Sequence, residues 1–201
     1  MKDSLIYLVS RSPRRRELLL QIGVEHEVLL VDIDETPRVG EAAALYVTRM
    51  AFEKACAGRA SLPEIDKPLL GADTSVVVDG KILGKPRDEA DARAMLQHLA
   101  GRTHQVVSAV ALVDDVVEQS RLSVSHVSFR DISDEEMRAY WGSGEPVDKA
   151  GGYGIQGLGA RFIERLEGSY SGVMGLPLFE TAALMRDFEI QMPIFNAKAC
   201  E

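Results

Sequence analysis

The run Leu69-Leu70-Gly71-Ala72-Asp73-Thr74-Ser75-Val76-Val77-Val78 is a strongly apolar strand pattern with one aspartate inside it. Asp79-Gly80 follows as a hairpin turn, and Lys81 to Leu83 reads as the returning strand. Aspartate is depleted in strands and costly to bury alone. Asp73 therefore needs a cationic partner, a metal ion or an edge position, and such a residue is a candidate for function. Lys85-Pro86, just past the returning strand, offers a cation near the same edge.

A second stretch breaks a local rule of a different kind. Leu5 to Val9 is a short apolar strand, and it runs into a helix with Ser12 at the N-cap and Pro13 at the first helical position. Leu18, Leu19 and Ile22 continue at helical spacing. Arg14, Arg15 and Arg16 fill the first turn, where the helix dipole disfavours a cation by a few tenths to about 1 kcal/mol each. Either they form a solvated basic patch, or the helix N–H groups, the hydroxyls of Ser10 and Ser12 and the guanidinium forks together hold a phosphate. The net charge of −8 supplies no global attraction to nucleic acid, so phosphate binding rests on such local clusters and stable nucleic-acid binding is not expected.

Between and beyond these stretches the pattern alternates strands and helices. Glu27 to Val31 is a second strand, ending in Asp32-Ile33-Asp34-Glu35. Those carboxylates are either solvated acids of a turn or oxygen ligands for Mg²⁺, which takes one or two protein carboxylates plus substrate phosphates. Glu41 to Gly58 is a helix with Val47, Met50, Ala51 and Lys54 on one face. Lys54 ends an apolar stripe, so its ammonium either snorkels to water or reaches a phosphate in a cleft. Asp88 to Ala100 is an amphipathic helix with Met95, Leu96 and Leu99 inward. His104 to Val113 and Val116 to Arg130 form a long antiparallel pair, with His104 and His126 as sheet residues. A capping box at Ser133 and Glu136 opens a helix through Tyr140-Trp141.

Glu145 to Gly159 carries five glycines, with Asp148, Lys149 and Gln156 among them. The spacing is that of neither a P-loop nor a dinucleotide fingerprint. The stretch is a flexible loop or a specificity loop whose backbone approaches a ligand closely. Ala160 to Leu166 reads as a strand, Gly168 to Gly175 as a second Gly/Ser loop, and Pro177 to Phe188 as a closing helix. Gln191 to Glu201 has no clear pattern and is expected to be a mobile tail. With 201 residues, 46% of them hydrophobic, one domain with a sizeable core is the default. No run approaches membrane-spanning length and no signal-peptide pattern is present, so a cytoplasmic protein without a membrane partner is expected. Cys56 and Cys200 read as ordinary reduced thiols.

Taken together, Ser10-Arg11-Ser12-Pro13-Arg14-Arg15, Ile33-Asp34-Glu35, Glu53-Lys54-Ala55, Gly71-Ala72-Asp73-Thr74, Ile82-Leu83-Gly84-Lys85-Pro86, Asp148-Lys149-Ala150-Gly151, Gly154-Ile155-Gln156-Gly157 and Gly175-Leu176-Pro177 are specific in order and spacing. They resemble the motifs of the Maf family of nucleoside triphosphate pyrophosphatases, from Leu5 to about Phe188. The departures are mild: Val9 and Gly152 stand where the family usually has alanine, and Ser125 where it has threonine. The resemblance implies an α/β fold with a mixed, twisted sheet flanked by helices, similar to inosine triphosphate pyrophosphatases. One Maf-like domain would span residues 1–201, with two lobes around a central cleft.

The resemblance also implies chemistry. Members cut nucleoside triphosphates between the α- and β-phosphates with a divalent cation, Mg²⁺ or Mn²⁺. Carried over residue by residue, the catalytic set is Asp73, Glu35, Lys54 and Lys85, with Glu35 and Asp73 holding the metal. Ser10, Ser12, Arg14, Arg15, Thr74, Asp148, Lys149 and Gln156 would bind the substrate. Arg15, Thr74 and Gln156 match the members that act on dTTP and UTP, whereas a sister group acting on 7-methyl-GTP carries a different set. The alternatives are 7-methyl-GTP or another modified nucleotide as substrate, or a septum regulator that acts by binding. The oligomeric state is left open, a homodimer included.

Overall fold

The computed structural model describes residues 5–64 and 66–192. In chain order these residues form β1 (Ile6–Val9), α1 (Pro13–Gln21), β2 (His26–Leu29), α2 (Ala43–Ala60), β3 (Leu69–Val78), β4 (Lys81–Leu83), α3 (Glu89–Leu99), β5 (Thr103–Val113), β6 (Glu118–Phe129), α4 (Asp134–Gly142), β7 (Ile163–Glu167), α5 (Tyr170–Met174) and α6 (Leu178–Asp187). The seven strands make one sheet in the order β2-β1-β3-β5-β6-β7, with β4 also paired to β3. β2, β1 and β3 run parallel, and every other pairing is antiparallel. The mixed α/β class read from the sequence is therefore the class observed. Parallel neighbours need a crossover, and α1 supplies it between β1 and β2. β3 and β4 need only two residues, because Asp79 and Gly80 both take positive φ, as a type I′ hairpin turn requires.

The sheet forks along β3. On one edge, β5 pairs with β3 continuously from Leu69 to Val77. The opposite edge is shared: β1 takes Leu69 to Gly71, and β4 takes Val76 to Val78. Residues 72–75 thus lie in a window with no strand partner on that edge. Ser10, directly after β1, stands on one side of the window, and Gly84-Lys85, directly after β4, stand on the other. Asp73 and Thr74 are inside it.

Strand alternation sends even and odd residues of β3 to different layers. Leu70 and Ala72 join an apolar cluster with α1 and α6, made by Leu18, Leu19, Leu184 and Met185. Val76 and Val78 join a second cluster with α3 and α4, made by Leu96, Leu99, Met137 and Tyr140. The odd face meets α2, where Val47, Met50 and Ala51 pack on Val77, Val107 and Ala109. That helix lies unusually close to the strand. A Cβ on Gly71 would come 2.1 Å from the Ala51 carbonyl oxygen, so only glycine allows the approach.

Most boundaries fall within two residues of the sequence reading, and two elements differ by more. The strand expected over Ala160 to Leu166 begins only at Ile163, because Leu158 to Phe162 forms a 3₁₀ turn closed by the Ala160 N–H on the Gly157 carbonyl. The Gly/Ser loop expected from Gly168 to Gly175 contains α5, nucleated by the Ser169 hydroxyl, which accepts the Gly172 N–H at 2.9 Å. Cys56 is a half-buried free thiol, and Cys200 lies outside the described residues, as does the expected tail from 193 onward. No helix of the described residues is long and apolar enough to cross a membrane.

His104, expected as a sheet residue, is a buried residue of β5, and its Nε2 is 2.7 Å from the Tyr153 hydroxyl. Phe129 and Tyr153 pack edge-on against its ring, and its Nδ1 has no partner among the described residues. Burial pushes this imidazole down from 6.5 to about 4. Between those values the unfolded chain binds a proton that the native state refuses, so this stability is full above about pH 6.5 and is lost as pH falls toward 4. The expected loss from this group is about 2 kcal/mol by pH 5. Thermal melts at pH 7.5 and 5 should show a smaller acid loss in His104→Gln than in the wild type; equal losses would assign the effect to other groups.

Candidate active site

The window in β3 gathers most of the charged residues singled out in the sequence. Asp73, on the odd face, points at α2, and Lys54 Nζ lies 2.7 Å from its Oδ1. The same ammonium lies 2.8 Å from Glu35 Oε1. One lysine thus bridges two carboxylates. The Lys54 and Asp73 side chains are 11% and 12% exposed, whereas Glu35 is half open to solvent at 51%. Breaking a buried pair of the Lys54–Asp73 kind from one side costs about 3–5 kcal/mol, since a charge is left without its partner.

Burial works to raise the Glu35 carboxyl, but the Lys54 hydrogen bond and charge, with Lys85 and Arg15 behind them, hold it below its ordinary value. Lys85 itself is exposed at the end of β4 and makes no ion pair among the described residues. The neighbouring acids go elsewhere. Asp32 pairs with Arg11 at 2.7 Å, and Asp34 accepts the Thr36 N–H at 2.9 Å. Of the three carboxylates read as possible metal ligands, only Glu35 turns to the site.

Arg15 reaches the window from the first turn of α1. Its Nε donates to the Gly175 carbonyl at 2.8 Å, and its Nη1 donates to Ser10 Oγ at 3.3 Å. Burial, chiefly, lowers this guanidinium from its ordinary value, Asp73 and Glu35 oppose that, and Arg14 adds to it. Ser10 is buried, and its Oγ also accepts the Ser12 N–H at 3.1 Å. Ser12 occupies the N-cap position by its backbone, without a side-chain cap bond. Thr74, on the even face, lies 2.8 Å from Ser108 Oγ. Ser108 gives its single proton to the Gly172 carbonyl, so Thr74 is the donor to Ser108 and keeps acceptor capacity.

The residues from the glycine-rich stretch are placed differently. Lys149 donates to the Glu145 carbonyl at 2.5 Å, and burial, then Arg14, lowers its ammonium below the ordinary value. Gln156 is exposed on the loop. Asp148 is exposed and forms no ion pair among the described residues, and no contact brings it to the Lys54 cluster.

Sequence reading missed the group that fixes Glu35. Residues 30–42 have no regular structure, yet two successive carbonyls, those of Glu35 and Thr36, are tied to α2. Tyr46 donates its hydroxyl to the Glu35 carbonyl at 2.8 Å, and Arg49 Nη2 donates to the Thr36 carbonyl at 3.2 Å. Arg49 in turn holds Glu41 through a fork of 2.7 and 2.6 Å. That fork draws the Glu41 carboxyl down to about 2. The signal available was the i, i+3 pair Tyr46/Arg49 on the helix that ends its stripe with Lys54.

Among the described residues no three His, Cys, Asp or Glu side chains converge as a closed metal cage. Glu35 and Asp73, two hard oxygen donors already sharing one cation, suit an ion that completes its shell with phosphate and water, which is the habit of Mg²⁺ and Mn²⁺.

A family model described as Maf-like protein matches residues 5–188. The chain belongs to the Maf family. Curated relatives named dTTP/UTP pyrophosphatase include those of Saccharophagus degradans, 55% identical over 187 residues (92% of this chain and 89% of the relative), and Aromatoleum aromaticum, 53% identical over 195 residues (91% and 95%). That of Pasteurella multocida is 48% identical over 199 residues, covering 96% of this chain and 100% of its own length. Among solved structures, the Staphylococcus aureus Ham1 protein aligns with 92% of this chain and 97% of its own, at 13% identity and a TM-score of 0.48.

Arg14 supplies a test of what this Maf site is built for. Its charge crowds Arg15 and Lys149, and no carboxylate among the described residues pairs with it. Arg14→Ala should leave the melting temperature of the ligand-free protein unchanged or slightly raised, while weakening binding of inorganic triphosphate about tenfold. A large loss of stability in calorimetry without ligand would instead identify a structural ion pair.

Proposed function

We propose that this protein hydrolyses dTTP and UTP to the nucleoside monophosphate and pyrophosphate. The observation that carries this reading is the Glu35–Lys54–Asp73 bridge in the β3 window, beside the Arg-rich start of α1. A protein that only bound polyanions would gain nothing from two carboxylates there, since they repel phosphate. Full-length likeness to relatives named dTTP/UTP pyrophosphatase supports the substrate.

In this reading Arg14, Arg15, Lys85 and the N–H groups at the start of α1 hold the triphosphate. Lys54 holds Asp73 and Glu35 together. Asp73 accepts the proton of the attacking water as its oxygen bonds to the α-phosphorus, and the bond from that phosphorus to the bridging oxygen breaks, so pyrophosphate leaves with the electron pair. Glu35 and Asp73 would hold the divalent cation with the substrate phosphates. That cation supplies Lewis-acid stabilisation of the developing charge and lowers the pKa of water. Gln156 would pair with the base, because its amide presents one acceptor and a donor to the N3–H and carbonyl edge shared by thymine and uracil. Facing that amide with a mismatched edge costs about 1–3 kcal/mol, or about ten- to a hundredfold in discrimination.

Asp73→Asn and Glu35→Gln keep shape and remove a charge, so each should lower kcat about a hundredfold or more while circular dichroism shows a folded protein, with a lower melting temperature expected for Asp73→Asn because Lys54 loses its buried partner. Turnover should need added Mg²⁺ or Mn²⁺ and stop with chelator. The decisive measurement is kcat/KM for dTTP, UTP, CTP, GTP and 7-methyl-GTP with identification of pyrophosphate. A preference for 7-methyl-GTP would overturn the pyrimidine assignment, and metal-independent binding without turnover would favour a regulatory role.

A further inference from the structure

The glycines of the loop from Gly154 to Gly159 make room for the protein's own side chains. A Cβ on Gly157 would lie 2.2 Å from Glu145 Oε2, one on Gly159 would lie 2.6 Å from the Tyr140 hydroxyl, and one on Gly154 would lie 2.9 Å from Lys149 Cε. Tyr140 and Glu145 form a clamp in that space. The Tyr140 hydroxyl donates to Glu145 Oε1 at 2.7 Å and accepts the Gly154 N–H at 3.1 Å. Glu145 Oε2 accepts the Leu158 N–H at 2.7 Å, and Oε1 accepts the Gly159 N–H at 3.0 Å. Four bonds therefore close around a six-residue segment with Gln156 inside it.

The chemistry of the clamp requires an ionised carboxylate, because every partner of Glu145 Oε1 and Oε2 is a donor. Burial opposes that ionisation, and the amides of Gly159 and Leu158 with the Tyr140 hydroxyl overcome it, leaving the carboxyl below its ordinary value. The loop is anchored a second time at its start, where the Gly151 N–H donates to the Gly84 carbonyl at the rim of the β3 window. The Tyr153 side chain is buried against His104 and Phe129. Only Gln156, Gly157 and Leu158 in this segment are exposed.

We infer that Tyr140 and Glu145 are positioning residues that set base selectivity by holding the backbone of the loop that presents Gln156 in one conformation. This rests on the pyrimidine triphosphate reading above. An amide that pairs through two hydrogen bonds discriminates only when both can form at once, so a small displacement costs the matched base and leaves a mismatched one little changed. The residues that hold phosphate and water come from other parts of the chain: α1, α2, β3, the Glu35 segment and Lys85 after β4. Loosening the clamp removes discrimination before it removes turnover.

The test is a set of kcat and KM values for dTTP and GTP on the wild type, Glu145→Gln, Tyr140→Phe, Gln156→Ala and the double variant Tyr140→Phe with Gln156→Ala. Glu145→Gln sets an amide donor against a backbone N–H, and Tyr140→Phe removes the two hydroxyl bonds with the least disturbance, so it carries the test if the first variant does not fold. In each folded clamp variant the ratio of kcat/KM for dTTP over GTP should fall about tenfold, chiefly through KM for dTTP, with GTP changed less than about threefold. The double variant should discriminate no worse than Gln156→Ala alone. An unchanged ratio, or equal losses on both nucleotides, would overturn the positioning role. A wild type without any pyrimidine preference would overturn the substrate reading, and the selectivity role with it.

Discussion

Lys54 places one positive charge between two carboxylates, and much of the surrounding structure serves that contact. Glu35 arrives on a segment without regular structure, Asp73 sits inside a buried strand, and neither would tolerate the other at short range without a cation. The helix that carries Lys54 also carries Tyr46 and Arg49, which tie down the Glu35 segment. Gly71 lets that helix approach β3 closely enough for the ammonium to reach. A single backbone contact, Ala51 on Gly71, thus sets the spacing of the charged centre.

The elements that carry this centre were legible because each violates a local preference in a visible way. Asp73 in an apolar run, Lys54 at the end of an apolar stripe and three arginines in a first turn are conflicts within the sequence itself; Asp73 and Lys54 answer each other in space, and of the arginines Arg15 is held by Gly175 and Ser10. The hairpin at Asp79-Gly80 and the capping box at Ser133 were legible for the opposite reason, since both are wholly local. The Maf motifs supplied their order, and the fork in the sheet shows why three of them meet: the chain leaves β1 and β4 beside the middle of β3.

What was illegible depends on contacts between residues far apart in the chain or on glycines with two meanings. Arg49 and Glu41 look like a solvated pair until Thr36 is seen to be held by the same guanidinium. Ala160 to Phe162 has the composition of a strand start, but the carboxylate of Glu145 captures the preceding amides and holds the chain in a turn. Five glycines in fifteen residues suggest freedom, and here they accompany restraint, since at Gly154, Gly157 and Gly159 the volume of the missing side chains is filled by Lys149, Glu145 and Tyr140. Composition cannot separate these cases because a glycine records only that space was needed, not what entered it.

The continuous pairing of β3 with β5 past the window has a mechanical consequence. Nine registered pairs, from Leu69↔Val113 to Val77↔Gln105, run without interruption beneath the gap between β1 and β4. The two apolar clusters on either side of the gap are therefore joined by a hydrogen-bonded ribbon and not by a free linker. Such a ribbon stores displacement as elastic bend and twist, as a leaf spring does, so the two clusters cannot shift relative to one another without straining it.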